Sequence, residues 1–102
     1  MSDNIRMVAR EESGMVTAKL VISHPNESGT RKDEQGNLVP ANFVRTGTVT
    51  LNGSPLLDLQ LGPSVSKDPF LQFRFAGKKG DSLKVSFTDS GNMVFAAESV
   101  VL

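Results

Sequence analysis

The chain has 102 residues, which is enough for one domain with a single hydrophobic core and too few for two. Its 11 basic and 11 acidic residues balance, so there is no overall electrostatic reason to expect nucleic acid or an anionic membrane as a partner. It has no cysteine, which excludes disulfide bonds, thiolate metal sites and thiol chemistry on this polypeptide.

The N-terminal segment carries no targeting pattern. Met1-Ser2-Asp3-Asn4 is polar, and Arg6 and Arg10 interrupt the apolar residues that follow. No apolar run is long enough for a signal peptide or a membrane span. The residues alone therefore predict a protein that stays in the cytoplasm.

Alternation of apolar and polar residues predicts two strands at the start of the chain, joined by a turn at Ser13-Gly14. The apolar positions are Ile5, Met7 and Ala9 in the first strand and Val16, Ala18, Leu20 and Ile22 in the second. Residues 26–36 are polar and charged, with Gly29 and Gly36 as breakers. They are predicted to form a long surface loop.

The alternation resumes after Pro40. Phe43, Val49 and Leu51 are predicted to point inward, and a second set is predicted to form the outer face of the same strand. That outer set is Val44, Thr46, Thr48 and Thr50. Asn52-Gly53 predicts a tight hairpin turn. Leu57, Leu59 and Leu61 are expected to point inward on the returning strand, and Pro55 is expected at a loop end or on an unpaired edge.

Three further strands are predicted in the last third of the chain, separated by turns at residues 77–81 and 89–92. Their apolar positions are Leu71, Phe73 and Phe75, then Leu83, Val85 and Phe87, then Met93, Phe95 and Ala97. No segment has helical spacing with caps over three turns. Seven short strands with this spacing predict an all-β fold, an immunoglobulin-like antiparallel β-sandwich that spans residues 1–102 as one domain.

Catalysis and metal binding have weak support in the residues. A Ser-His-Asp triad can be assembled on paper from His24, Ser64 or Ser66, and Asp68, but the Gly-x-Ser-x-Gly motif is absent. His24 precedes Pro25 at a strand end, where an imidazole can instead satisfy loop backbone groups.

One imidazole and no thiolate argue against zinc. Met7, Met15 and Met93 could supply thioethers for copper, yet they fall in strand patterns where core packing explains them. We therefore expect no metal and no cofactor.

Two polar segments are candidates for partner contacts. The charge run Arg31-Lys32-Asp33-Glu34 is either a solvated surface or a site where Arg31 or Lys32 pairs with a partner's carboxylate or oxyanion. Residues 62–69 contain two prolines, which suits either a plain crossover between sheets or a connector that presents Ser64, Ser66 and Lys67 in one geometry.

The order of short motifs along the chain resembles the SoxZ family, the smaller subunit of the SoxYZ sulfur-oxidation carrier. The residues that carry the resemblance are His24, Pro25, Glu27, Gly29, Arg31, Lys32, Asp33, Pro40, Ala41, Phe43, Asn52, Gly53, Gly62, Pro63, Val65, Ser66, Lys67, Pro69 and Phe73. The chain departs from the family pattern at Asn26 for Met, Ser28 for Thr, Asn42 for His and Asp68 for Asn.

The resemblance implies a non-catalytic subunit that binds and stabilises a SoxY-like subunit, whose C-terminal cysteine arm carries covalent sulfur intermediates during thiosulfate oxidation. It also implies transient contact with a haem-containing conjugating enzyme, a manganese-dependent hydrolase and a molybdenum-containing dehydrogenase. It further implies a periplasmic location reached by co-export with the partner. The alternatives are an independent ligand-binding or adhesion-type β-sandwich and a hydrolase that uses His24.

The heterodimer contact is expected on the strand that carries the outer set beginning at Val44, or on the strand from Met93 to Val101. The loops at residues 24–33 and 62–70 are expected to line a rim that the enzymes contact. The predicted partner-binding residues are His24, Arg31, Lys32, Val44, Thr46, Thr48, Pro63, Ser64, Ser66, Lys67 and Phe70.

Overall fold

The computed structural model describes residues 4–62 and 67–102, and seven strands account for most of them. The strands are β1 (Ile5–Glu12), β2 (Met15–Ile22), β3 (Val44–Leu51), β4 (Ser54–Gln60), β5 (Phe70–Ala76), β6 (Ser82–Asp89) and β7 (Val94–Val100). The predicted all-β architecture is confirmed. No helix in the described part of the chain is long and apolar enough to cross a membrane.

The strands form two antiparallel sheets, one of three strands in the order β1-β2-β5 and one of four in the order β4-β3-β6-β7. Their inner faces pack into one core, as the period-two pattern predicts for an immunoglobulin-like sandwich. The buried core residues are Ile5, Ala9, Val16, Ala18, Leu20, Ile22, Val44, Val49, Phe75, Leu83, Val85, Phe87, Ala97 and Val101. Apolar burial of this kind contributes about 25 cal/mol per Å² and is the main stabilising term.

The two ends of the sandwich differ. At one end, which we call the turn end, Ser13-Gly14 and Asn52-Gly53 adopt positive φ angles of 53° and 83°, and 52° and 84°. These are the angles of two-residue hairpin turns. Leu102 bonds to the Ala9 carbonyl and the Glu11 N–H there, which ties the chain to the edge of β1.

The opposite end, the loop end, holds residues 23–43, 61–62, 67–69 and 90–93. The first of these is a surface loop, as predicted, and it is also backbone-paired. Isolated bridges join Glu27 to Asn42 and Lys32 to Leu38. In the turn between Lys32 and Leu38, the Asp33 side chain accepts hydrogen bonds from the backbone N–H groups of Gln35 and Asn37. The Cα extents of the molecule are 53 × 21 × 21 Å, so the chain is elongated.

One prediction about β3 is wrong. The register shifts between Val44 and Thr46, so Arg45 is an extra residue in the pairing with β6. A bulge of this kind reverses the side-chain alternation on either side of it. Val44 therefore points into the core and is 0% exposed, whereas Thr46 and Thr48 lie on the outer face.

Two smaller predictions also change. The register of β3 with β4 also shifts, between Val49 and Thr50. Leu56 packs against the core together with Leu59 and Leu61, whereas Leu57, which was predicted to point inward, is 37% exposed. Met93 precedes β7 and is 60% exposed, so core packing does not explain it. Met15 is likewise exposed, and only Met7 of these methionines packs against the core. Pro55 lies on β4, an edge strand, as expected.

Candidate partner-binding surfaces

The loop end brings two of the predicted segments together. Asp68 accepts a hydrogen bond from the His24 N–H at 3.0 Å, and the Asp68 N–H donates to the His24 carbonyl at 2.9 Å. Asp68 has a positive φ of 49°, which lets one residue make both bonds. Residues 67–69 are thereby held beside the loop that begins at His24.

The His24 side chain is 4% exposed and points inward, so the imidazole does not lie on the outer surface where a direct contact with a partner was expected. Its Nδ1 accepts a hydrogen bond from the Asn26 N–H at 3.0 Å, which assigns the ring proton to Nε2. Nε2 lies 3.1 Å from Asp89 Oδ2 and donates to it. The Phe95 ring packs edge-on at a centroid distance of 5.8 Å. The alternative role, satisfying loop backbone groups, is confirmed.

Asp89 is the other half of this buried pair. Its Oδ1 accepts from the N–H groups of Gly91 and Met93, each at 2.9 Å. Burial disfavours the charged carboxylate, but the hydrogen bonds from Met93, His24 and Gly91 outweigh it and hold the pKa of Asp89 below its usual range. Asp89 therefore anchors the β6–β7 turn and the His24 loop at once.

This geometry bears on the triad that the sequence allows on paper. Both ring nitrogens of His24 are engaged, so neither remains to activate a serine hydroxyl. Asp68 bonds the backbone of His24 and not its ring. Ser64 and Ser66 lie outside the described residues, as does Pro63.

Arg31 pairs within its own loop. Its Nε lies 3.1 Å from both carboxylate oxygens of Glu27, and its Nη2 lies 2.7 Å from Oε1. The hydrogen bond from Arg31, with a smaller contribution from the charge of Lys67, holds the pKa of Glu27 below its usual range. Arg31 is thus already engaged, whereas Lys32 is exposed and forms no ion pair with any residue in 4–62 or 67–102.

The outer surface of the four-stranded sheet carries few charged side chains. We call it the hydroxyl face; its central residues are Thr46, Thr48, Thr50, Ser86, Thr88 and Ala96, which lie in register across β3, β6 and β7. Lys84 and Glu98 lie beside this centre with their side-chain nitrogen and oxygen 3.9 Å apart, and the exposed Asp58 on β4 is opposite Thr48 and adds one carboxylate. A shallow groove of about 450 Å³ runs along this face.

The outer surface of the three-stranded sheet has a different character. We call it the basic face; it comprises Arg6, Val8, Arg10, Thr17, Lys19, Val21, Phe70 and Arg74. Phe70, one of the predicted partner-binding residues, is 59% exposed there. The predicted set is therefore divided: Thr46 and Thr48 lie on the hydroxyl face, Arg31, Lys32 and Lys67 at the loop end, and Phe70 on the opposite sheet.

Sequence reasoning missed three polar residues at the loop end. Asn26 is buried with a φ of 49°, and its Oδ1 accepts from the Val44 N–H at 3.0 Å. Asp89 begins the Asp-Ser-Gly-Asn turn, and that pattern after an apolar strand was the available signal for its capping role. Asn42 Oδ1 is buried with no hydrogen-bond partner among the residues described. In the same part of the chain, no group of three or more His, Asp or Glu residues is arranged to hold a metal.

One comparison with known proteins identifies a relationship. Residues 5–100 match the family model described as Sulphur oxidation protein SoxZ. The match spans almost all of the 102 residues and includes every strand. No curated protein matches the chain significantly.

Proposed function

The chain belongs to the SoxZ family of sulfur oxidation proteins, and we propose that it is the non-catalytic subunit of a sulfur carrier. In this proposal it binds a SoxY-like subunit whose C-terminal cysteine holds the sulfur intermediates. The chain has no cysteine of its own, so a covalent sulfur carrier must obtain its thiol from a partner. The role of this chain is then to stabilise that partner and to help present its arm.

We assign the SoxY contact to the hydroxyl face, and the observation that carries the assignment is its low charge, because only the Lys84–Glu98 pair and the Asp58 carboxylate accompany its hydroxyl and alanine side chains in the described sheet. Burying threonine, serine and alanine side chains removes few strongly hydrated groups from water, whereas burying an unpaired cation is costly. The exposed Val94 and Val100 lie on β7 at either end of this face and add apolar area to it. A flat sheet of this composition suits packing against a second sandwich.

The test compares two threonines in equivalent positions on opposite sheets. Thr48 lies on β3 and Thr17 on β2, both strands being flanked on two sides. We expect Thr48→Glu to weaken SoxY binding at least about tenfold, since it places a second carboxylate opposite Asp58 within the contact. Thr17→Glu should leave the affinity unchanged. Isothermal titration calorimetry with the purified SoxY subunit of the same host measures both.

Equal affinities for the two variants would exclude the hydroxyl face as the contact. A chain that does not bind SoxY at all would exclude the carrier proposal and favour the independent ligand-binding sandwich. Circular dichroism of each variant verifies that a lost interaction does not reflect unfolding.

The location of the protein forms part of the same proposal. We propose that it is exported folded, bound to a partner that carries the export signal, and acts in the periplasm. Cell fractionation tests this directly: deletion of the SoxY gene should leave the chain in the cytoplasm. A periplasmic chain in that deletion strain would contradict co-export.

A further inference from the structure

The basic face concentrates positive charge in a chain whose formal net charge is zero. Lys19 on β2 is opposite Val8, so Arg6 and Arg10 are its diagonal neighbours on β1. On the other side Lys19 is opposite Gln72, which makes Arg74 a diagonal neighbour on β5. Diagonal pairs in an antiparallel sheet lie about 7–8 Å apart. Three guanidinium groups thus surround one ammonium group.

None of these four cations forms an ion pair with a carboxylate in the part of the chain that the structure describes. Glu12 is on the same face, but it lies at the turn end, opposite Met15. Like charges at this spacing repel one another, so the arrangement does not stabilise the isolated domain. A surface that is only solvated gains nothing from such clustering, whereas an acidic partner would neutralise it.

An apolar groove adjoins the cations. It has a volume of about 500 Å³ and is lined by Val8, Val21 and Phe70 together with the stems of Arg6 and Lys19. All three apolar side chains are substantially exposed. Exposed aromatic and arginine side chains around an apolar centre are typical of the residues that contribute most to protein–protein binding.

We propose that the basic face docks the acidic surface of an enzyme that acts on the carrier, with an apolar side chain of that enzyme in the Val8–Val21–Phe70 groove. The inference rests on the proposed function, since it presumes a carrier that enzymes visit. Three of the four cations are arginines, whose planar fork binds carboxylates through two hydrogen bonds. This favours a carboxylate-bearing protein over a lipid surface. The hydroxyl face, on the opposite side of the sandwich, remains available for SoxY.

The experiment uses the intact complex of this chain with SoxY, a variant of the basic face and a control lysine variant. Lys19 is an exposed lysine on the basic face, and Lys78 is an exposed lysine in the turn between β5 and β6, at the turn end. Surface plasmon resonance measures the association rate of the complex with the haem-containing, manganese and molybdenum enzymes of the same host, at low and at physiological ionic strength. Complexes with Lys19→Gln combined with Arg74→Gln should associate about tenfold more slowly with at least one enzyme at low salt. Lys78→Gln should not differ from the unmodified complex.

Two results would overturn the inference. One is an equal association rate for both variants with all three enzymes. The other is binding of the complex to phosphatidylserine vesicles that depends on Lys19 and Arg74, since this would identify a membrane as the occupant.

A third result separates this inference from the proposed function. If the Lys19 and Arg74 substitutions weaken SoxY binding instead, the basic face is the subunit contact and the docking inference fails while the carrier proposal stands. If SoxY does not bind the unmodified chain, the carrier proposal itself fails.

Discussion

The two outer faces of this sandwich are built on the same strand geometry and carry opposite chemistry. The hydroxyl face has threonine, serine and alanine at its centre, with the Lys84–Glu98 ion pair and the Asp58 carboxylate beside them. The basic face has four cations grouped around an apolar groove. A balanced total charge therefore conceals a strong local asymmetry. The asymmetry provides two surfaces with different requirements for a partner, and the predictions below test where each surface begins and ends.

The largest effect is expected at the boundary between the core and the hydroxyl face. Val44→Glu places a carboxylate in a site that is 0% exposed and should destabilise the fold by about 4 kcal/mol or more. Thr46→Glu, two residues away on the outer surface, should change stability by less than about 0.5 kcal/mol. Urea unfolding measures both. A folded Val44→Glu protein of normal stability would contradict the bulge at Arg45.

The next effect concerns the turn that joins β6 and β7 at the loop end. Asp89→Asn removes the charge that accepts hydrogen bonds from His24, Gly91 and Met93, and we expect a loss of about 2–3 kcal/mol in unfolding free energy.

The folded pKa of Asp89 lies below its usual 3.8, so its contribution is fully present above that pH and is lost as pH falls through the folded value. Urea titrations at a series of acid pH values should therefore show a shallower pH dependence for the variant. Identical slopes for the two proteins would contradict the assignment.

A smaller effect is expected where β3 crosses the core. A Cβ added to Gly47 would lie 2.5 Å from Cε1 of the buried Phe87 ring, so Gly47→Ala should cost about 1–3 kcal/mol. Gly62→Ala is the matched control, because a Cβ there meets no atom of the described residues within 4 Å. Thermal unfolding compares the two. Equal melting temperatures for the two variants would show that the Phe87 ring can move to accept the added methyl group without loss of stability.

The smallest effect is expected on the basic face. Lys19→Gln relieves repulsion among the four cations and should raise the unfolding free energy by a few tenths of a kcal/mol, about 0.2–0.5. The gain should vanish in high salt, because salt screens exposed charges. Lys84→Gln, which breaks a pair instead, should not be stabilising. If Lys84→Gln raised the unfolding free energy by the same amount, the gain from Lys19→Gln would not be evidence of repulsion on the basic face.

The seven strands and their inward residues could be predicted because alternation is a local property of the sequence. The inward sets on β1, β2 and β6 all lie in or against the core as predicted. Val44 was misplaced because a one-residue bulge at Arg45 reverses the alternation, and no local signal marks that bulge. Leu56 was missed for the same reason on β4.

The loop-end network was beyond prediction for a different reason. His24 and Asp89 are 65 positions apart, and their hydrogen bond depends on how the two sheets stack. The polar character of the loop was readable from its residues, but the burial of His24 within it was not. The division of the predicted contact residues between two opposite sheets likewise follows from strand order, which alternation does not encode.

The elongated outline has a hydrodynamic consequence. The radius of gyration is 15.3 Å, against about 13 Å for a compact chain of about 100 residues. A molecule of this shape diffuses more slowly than a sphere of 11.0 kDa and will elute from a sizing column ahead of its true mass. The lone chain can therefore be mistaken for a dimer by elution volume. Its stoichiometry with SoxY is better determined by native mass spectrometry or light scattering, both of which report mass independently of shape.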